Sequence, residues 1–139
     1  MATDHAPHTL EEKANKYFLA PSGGPLIEHS LIAMLEMAHQ GIFSKELVVE
    51  KMCHAPAQLF QIEKRGFIKE GYYADLVLVA PHQKNTISDA SVHYKCQWSP
   101  FSGTTFSHAV THTLINGQVV FEKGFINPNR SGMPLTFNR

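Results

Sequence analysis

Charge, cysteine and long apolar runs are all scarce in this sequence, and each shortage removes a class of protein. Only 17% of the 139 residues are charged, against about 25% in an ordinary globular domain. Twelve Lys+Arg balance twelve Asp+Glu. With no net charge and no cluster of basic residues, nothing offers the concentrated positive charge that nucleic acid or anionic lipid requires, so neither is expected as a partner. No uninterrupted apolar stretch approaches the ~18 residues that cross a bilayer, and the N-terminus lacks the basic region and apolar core of a secretory signal. Cys53 and Cys96 are the only two cysteines and show no repeated spacing, which excludes a disulfide framework and predicts reduced thiols. Hydrophobic residues at 43% exclude general disorder. The expectation is a soluble, cytoplasmic chain forming one domain or a piece of one.

What is abundant is histidine: nine residues, suited to metal binding and to proton transfer near neutral pH. Two of them fall in the opening MATDHAPHTL, where Asp4, His5 and His8 supply a carboxylate and two imidazoles at the expected end of a strand. Aspartate is a hard oxygen ligand for zinc, and an oxygen left free can take a proton from metal-activated water. On spacing alone Asp4 is equally able to cap a turn, with His5 and His8 as exposed imidazoles.

The rest of the chain reads as a helical first half and a β-rich second half. Thr9 and Glu12 have capping-box spacing for a short helix through about residue 17. The sequence APSGGP over residues 20–25 is a loop whose glycines allow close backbone approach to a ligand. Ile27, Leu31, Met34, Leu35 and Ala38 repeat at helical spacing and predict a helix over 26–40, stopped by Gly41. Ser44 is placed to cap a third helix through about residue 54, with Pro56 opening another turn. Residues 72–80 (YYADLVLVA) predict a buried strand closed by Pro81, and Asn116 with Gly117 predicts a hairpin between 110–115 and 118–122. The tail from 127 shows no period.

The remaining histidines read as solvated or core residues. His29 and His39 would be about 15 Å apart along one helix, and His108 and His112 about 13 Å apart on one strand face. Neither spacing makes a metal pair.

The segment TDHAPH followed by TLEEK resembles the C-terminal signature of dihydroorotases, members of the amidohydrolase superfamily built on a metal-binding (β/α)₈ barrel. The blocks APSGGPLIEHSLIAMLEMA, VVEKMCHAPAQLF, KRGFIKEGYYADLVLV, YKCQWSPFSG and HTLINGQVVFEKG are also similar to family blocks, in order, so the resemblance covers nearly the whole chain.

This resemblance implies an α/β fold: the C-terminal fragment of a (β/α)₈ TIM barrel over residues 1–65, with its last strand and following helices, then part of the amidohydrolase β-sandwich domain over 66–139. It implies zinc as cofactor and reversible cyclisation of N-carbamoyl-L-aspartate to dihydroorotate, a step of pyrimidine synthesis. Asp4 corresponds to the family's metal-ligating, proton-carrying aspartate. His8 corresponds to the histidine that binds the substrate carboxylate, and Ala20 and Gly23 to loop positions whose backbone holds the ring amide. Ser22 stands where many members have Phe. His5 receives no role.

The family's HxH pair, its bridging Lys or Asp and its later barrel histidines have no counterpart and would lie upstream of Met1. A barrel of this kind takes about 250 residues. Zinc usually takes three or four protein ligands, so the chain by itself is not expected to catalyse. The missing upstream barrel segment is its expected partner, and the exposed neighbour-facing surfaces invite a homo-oligomer or local disorder before about residue 25. The resemblance also leaves open a non-catalytic, dihydroorotase-like structural module partnering aspartate transcarbamoylase. Retention of Asp4 and His8 speaks for the enzyme.

Overall fold

The computed structural model describes residues 1–129 and 132–138. Thr9 and Glu12 form the expected capping box, Glu12 N–H donating to Thr9 Oγ1 at 3.2 Å and Thr9 N–H to Glu12 Oε2 at 2.7 Å. The helix they open, α1 (Leu10–Lys13), is shorter than expected. Asn15 Nδ2 donates to Glu12 O at 3.0 Å and ends the helix. Tyr17 and Phe18, 87% and 95% exposed, give a longer helix no apolar face to bury.

The second helix, α2 (Ser30–His39), starts four residues later than its apolar repeat suggests. The approach to it is instead a turn held by distant partners: Leu26 N–H and Ile27 N–H donate to His5 Nδ1, and Glu28 N–H to Tyr94 Oη. Its end follows expectation. Gly41, at φ 79°, donates to Ala38 O, and Ile42 N–H reaches back to Met37 O, a Schellman closure. Ser44 caps α3 (Lys45–Val49) by accepting Leu47 N–H at 3.2 Å. A π turn (Glu50–His54) then joins α3 to α4 (Ala55–Leu59), immediately before Pro56, whose missing N–H interrupts the α ladder.

Among the described residues four antiparallel strands follow in the order β1-β2-β3-β4: β1 (Leu76–Thr86), β2 (Thr105–Ile115), β3 (Gln118–Glu122) and β4 (Phe125–Ile126). Strand β1 starts later than expected, ends later because Pro81 does not close it, and has no fully buried residue where a buried strand was expected. As an edge strand β1 ladders only with β2, so a residue without N–H is tolerated, at the cost of a register shift between Pro81 and Asn85 with His82 at φ 61°. Strand β2 starts five residues earlier than residue 110. The Asn116-Gly117 hairpin forms as predicted, with φ values of 53° and 77°. A further shift between Leu78 and Val79 places a bulge between His108 and His112, so the two do not sit in an uninterrupted alternation.

Helix α2 packs on the sheet through Ile32, buried with Ile87 and Phe106, and Phe101 meets Phe106 edge-on at 5.5 Å. Glu36 adds a polar link, its carboxylate accepting Ser107 N–H at 2.6 Å and Ser107 Oγ–H at 3.1 Å. At the end of α2 the His39 ring stands edge-on to His82 and His108, and the buried His108 Nδ1 has no hydrogen-bond partner among the described residues. Arg65, 9% exposed, binds Asp75, donates to Asn116 Oδ1 at 2.8 Å and covers the Tyr73 ring. It thereby ties the hairpin to the chain entering β1. Both cysteines are free, and no helix among the described residues is long and apolar enough to cross a membrane.

Candidate functional site

The expected strand end at residues 3–8 is a single parallel bridge between His5 and Gly24, with Ala6 N–H donating to Gly24 O at 3.0 Å. Pairing stops at Pro7, which has no N–H to give. His8 N–H turns back to Ala6 O at 2.9 Å, a tight turn that the fixed φ of Pro7 favours.

This pairing brings Asp4 beside the glycine loop. Asp4 is exposed and adopts φ 48°, a left-handed conformation that short polar side chains tolerate better than others. Gly23 has φ 88°, and a Cβ there would lie 2.7 Å from Ala6 Cβ and 3.9 Å from Asp4 O. Lys13 Nζ gathers the loop by donating to Pro21 O at 2.7 Å and Gly23 O at 3.0 Å. Half-buried Ala20 closes the turn after α1, its N–H donating to Lys16 O at 2.9 Å.

His8 is half-buried, its Nδ1 3.6 Å from Glu12 Oε2. The Thr9 N–H beside Glu12 holds that carboxyl below its ordinary range. The His8 carbonyl accepts Trp98 Nε1–H at 2.7 Å. His5, left without a role by the sequence, has a structural one. Its Nδ1 faces two backbone N–H groups, which puts the ring proton on Nε2, and the ring lies 5.3 Å from that of Tyr94.

Residues 93–99 close the arrangement from the other side. His93 N–H donates to Glu28 Oε2 at 3.0 Å, and His93 Nδ1 lies 2.7 Å from Glu28 Oε1. Buried His29 meets Ser99 Oγ at 3.2 Å, and desolvation pushes its pKa down. Burial likewise pushes the Tyr94 phenol up. The sequence marks Trp98 only as a member of the YKCQWSPFSG block. It gave no signal for the contacts of Glu28 with His93 and Tyr94, because these partners lie 65 and 66 residues apart.

The arrangement sets an exposed carboxylate, able to accept a proton, and an imidazole four residues on, able to donate a hydrogen bond, beside a glycine loop held by Lys13 and Ala6. Among the described residues, no group of three or more His, Cys, Asp or Glu is placed to hold a metal ion. Cavities of about 610 and 950 Å³ lie elsewhere, the first beside Gln58 and Tyr72, the second between the start of α2 and the sheet. Neither is lined by Asp4, His8, Ala20 or Gly23.

A model of the amidohydrolase family matches residues 1–120, and the chain belongs to that family. Within it the chain is similar to dihydroorotases: 41% identical over 122 residues to that of Halobacterium salinarum, covering 88% of this chain and 29% of the relative. It is 37% identical over 123 residues to that of Clostridium acetobutylicum, again covering 88% of this chain and 29% of the relative. The chain thus spans less than a third of the length of these relatives. Among solved structures it is similar to the dihydropyrimidinase of Brevibacillus agri, with a TM-score of 0.82 and 27% identity over 88% of this chain and 28% of that one. The L-hydantoinase of Arthrobacter aurescens matches with a TM-score of 0.81 and 31% identity over 89% of this chain and 29% of that one. The α/β arrangement with its antiparallel sheet is therefore one shared with amidohydrolase-superfamily enzymes.

Proposed function

We propose that this chain is the C-terminal portion of a dihydroorotase, acting on a cyclic amide in the reversible cyclisation of N-carbamoyl-L-aspartate to dihydroorotate in pyrimidine synthesis. Residues 1–65 are the end of its (β/α)₈ barrel, and 66–139 belong to its β-sandwich domain. Helices ending at Leu59 and strands beginning at Leu76 support that division. The observation that carries the reading is the 41% identity to a dihydroorotase over 88% of the chain. The arrangement of Asp4, His8 and Gly23 is consistent with it.

The donor set decides how far a metal fits. Asp4 offers one exposed hard-oxygen donor, and no described group of three completes a site around it, so this chain fits zinc as one contributor among ligands from the upstream barrel segment. Zinc, when bound, polarises the amide carbonyl and lowers the pKa of water. In the hydrolytic direction an Asp4 carboxylate oxygen takes the proton of the attacking water as the C–O bond forms. It returns that proton to the ring nitrogen as the C–N bond breaks. The His8 imidazole donates a hydrogen bond to the substrate carboxylate and fixes its orientation. Main-chain groups at Ala20 and Gly23 hold the ring amide, a role that suits residues with little or no side chain.

The test joins the upstream part of the Halobacterium salinarum dihydroorotase to residue 1 of this chain. The joined protein is expected to cyclise carbamoyl aspartate with zinc, Asp4→Asn to lose roughly 10²-fold or more, and the 139-residue chain alone to be inactive and to bind zinc weakly. Full activity in Asp4→Asn, or in the chain alone, overturns the assignment.

A further inference from the structure

We propose that Trp98 is a positioning residue for His8, an inference that rests on the substrate-binding role proposed for His8 above. Trp98 Nε1–H donates to His8 O at 2.7 Å across 90 residues of sequence, and the indole stands beside Gly24 of the loop that pairs with His5. A Cβ on Gly24 would sit 3.6 Å from Trp98 Cη2. The indole therefore bonds the turn that leaves the His5–Gly24 pairing and stands close to Gly24 itself.

Both ends of this contact are geometrically constrained. His8 O belongs to the turn in which His8 N–H is already bound to Ala6 O. On the other side, the residue before the indole, Gln97, adopts φ 58° and donates its N–H to Tyr94 O at 3.0 Å. A left-handed residue without glycine is uncommon and persists where surrounding contacts over-determine it. Those contacts are present: His93 on Glu28, Tyr94 Oη on Glu28 N–H, and Ser99 on His29. The segment is fastened to the start of α2 at both sides of Trp98, and the indole passes that rigidity to the His8 main chain.

The bond falls at His8 O, whereas Asp4 is held by the separate pairing of Ala6 with Gly24. Loss of the indole N–H should loosen the imidazole that orients substrate more than the carboxylate that moves the proton. The signature is a rise in KM with kcat retained.

Trp98→Phe keeps an aromatic body and removes only the donor. In the 139-residue chain, amide exchange at His8 is expected to quicken roughly fivefold, the size of one neutral hydrogen bond, with the β2 amides unchanged. In the joined protein described above, KM should rise roughly fivefold with kcat within about twofold. Exchange that quickens uniformly through the chain, or not at all, overturns the positioning role. An active parent whose Trp98→Phe variant keeps its KM overturns that role alone. An inactive parent overturns the proposed function and the positioning role together.

Discussion

Replacing Gly23 by alanine tests whether the glycine loop is shaped by contact with the Asp4 segment. Two costs can be read from the geometry. At φ 88° an L residue is strained, by about 1–2 kcal/mol. The new Cβ would also stand 2.7 Å from Ala6 Cβ, an overpacked contact of about 1–3 kcal/mol. Against this, the segment is held by Ala6 N–H on Gly24 O, His5 Nδ1 under Leu26 N–H and the Trp98 bond to His8 O. Each of these contributes about 0.5–1.5 kcal/mol. Strain and retention are of similar size, so the segment should release while Ile32, Ile87 and Phe106 stay packed. Amide exchange followed by NMR is the assay: the Ala6 amide loses protection and the amides of β2 keep theirs. Ala6→Gly in the same chain removes the colliding methyl but not the left-handed strain, and should recover all but about 1–2 kcal/mol. If the double variant is no better protected than Gly23→Ala, once Ala6→Gly alone is allowed for, contact between the two segments is not what demands glycine.

Arg65→Met removes the partner of Asp75 and Asn116 and the cation over Tyr73. Because the Asp75 side chain is 31% exposed, water replaces part of the loss, and urea unfolding should show about 2 kcal/mol rather than the ~3–5 kcal/mol of a fully buried broken pair. A loss below about 0.5 kcal/mol would show that the hairpin needs no clamp. The pH profile has a definite sign. His29 and His108 are both pushed down by burial, with Lys45 and His39 also lowering His108. Their unfolded forms bind protons more readily, so stability is fully present above the ordinary histidine range. It declines as pH falls through the ordinary histidine value of about 6.5 and on toward the lowered folded-state values. His108→Gln should flatten that decline, and an unchanged slope would remove His108 from the account.

Local chemistry was legible where one stretch of sequence held all the partners. Thr9 with Glu12, Ser44, Gly41 and the Asn116-Gly117 turn each did what its residue types and spacing dictate. Boundaries failed where distant residues intervened. Residues 26–28, expected in α2, form a turn held by His5 and Tyr94, and β1 ran through Pro81 because no strand among the described residues pairs on its other side. In the candidate site, the motif flagged Asp4, His8, Ala20 and Gly23 without revealing what holds them.

By itself the sequence determined the helical first half, the β-rich second half, the hairpin and the family, since capping, periodicity and ordered motif blocks act within short stretches. Only the tertiary structure decided that Gly23 meets Ala6, that Lys13 gathers the glycine loop and that Trp98 reaches His8. Those contacts depend on closing long loops against chain entropy. Such closure is fixed by the packing of α2 on the sheet and not by any residue's neighbours in sequence.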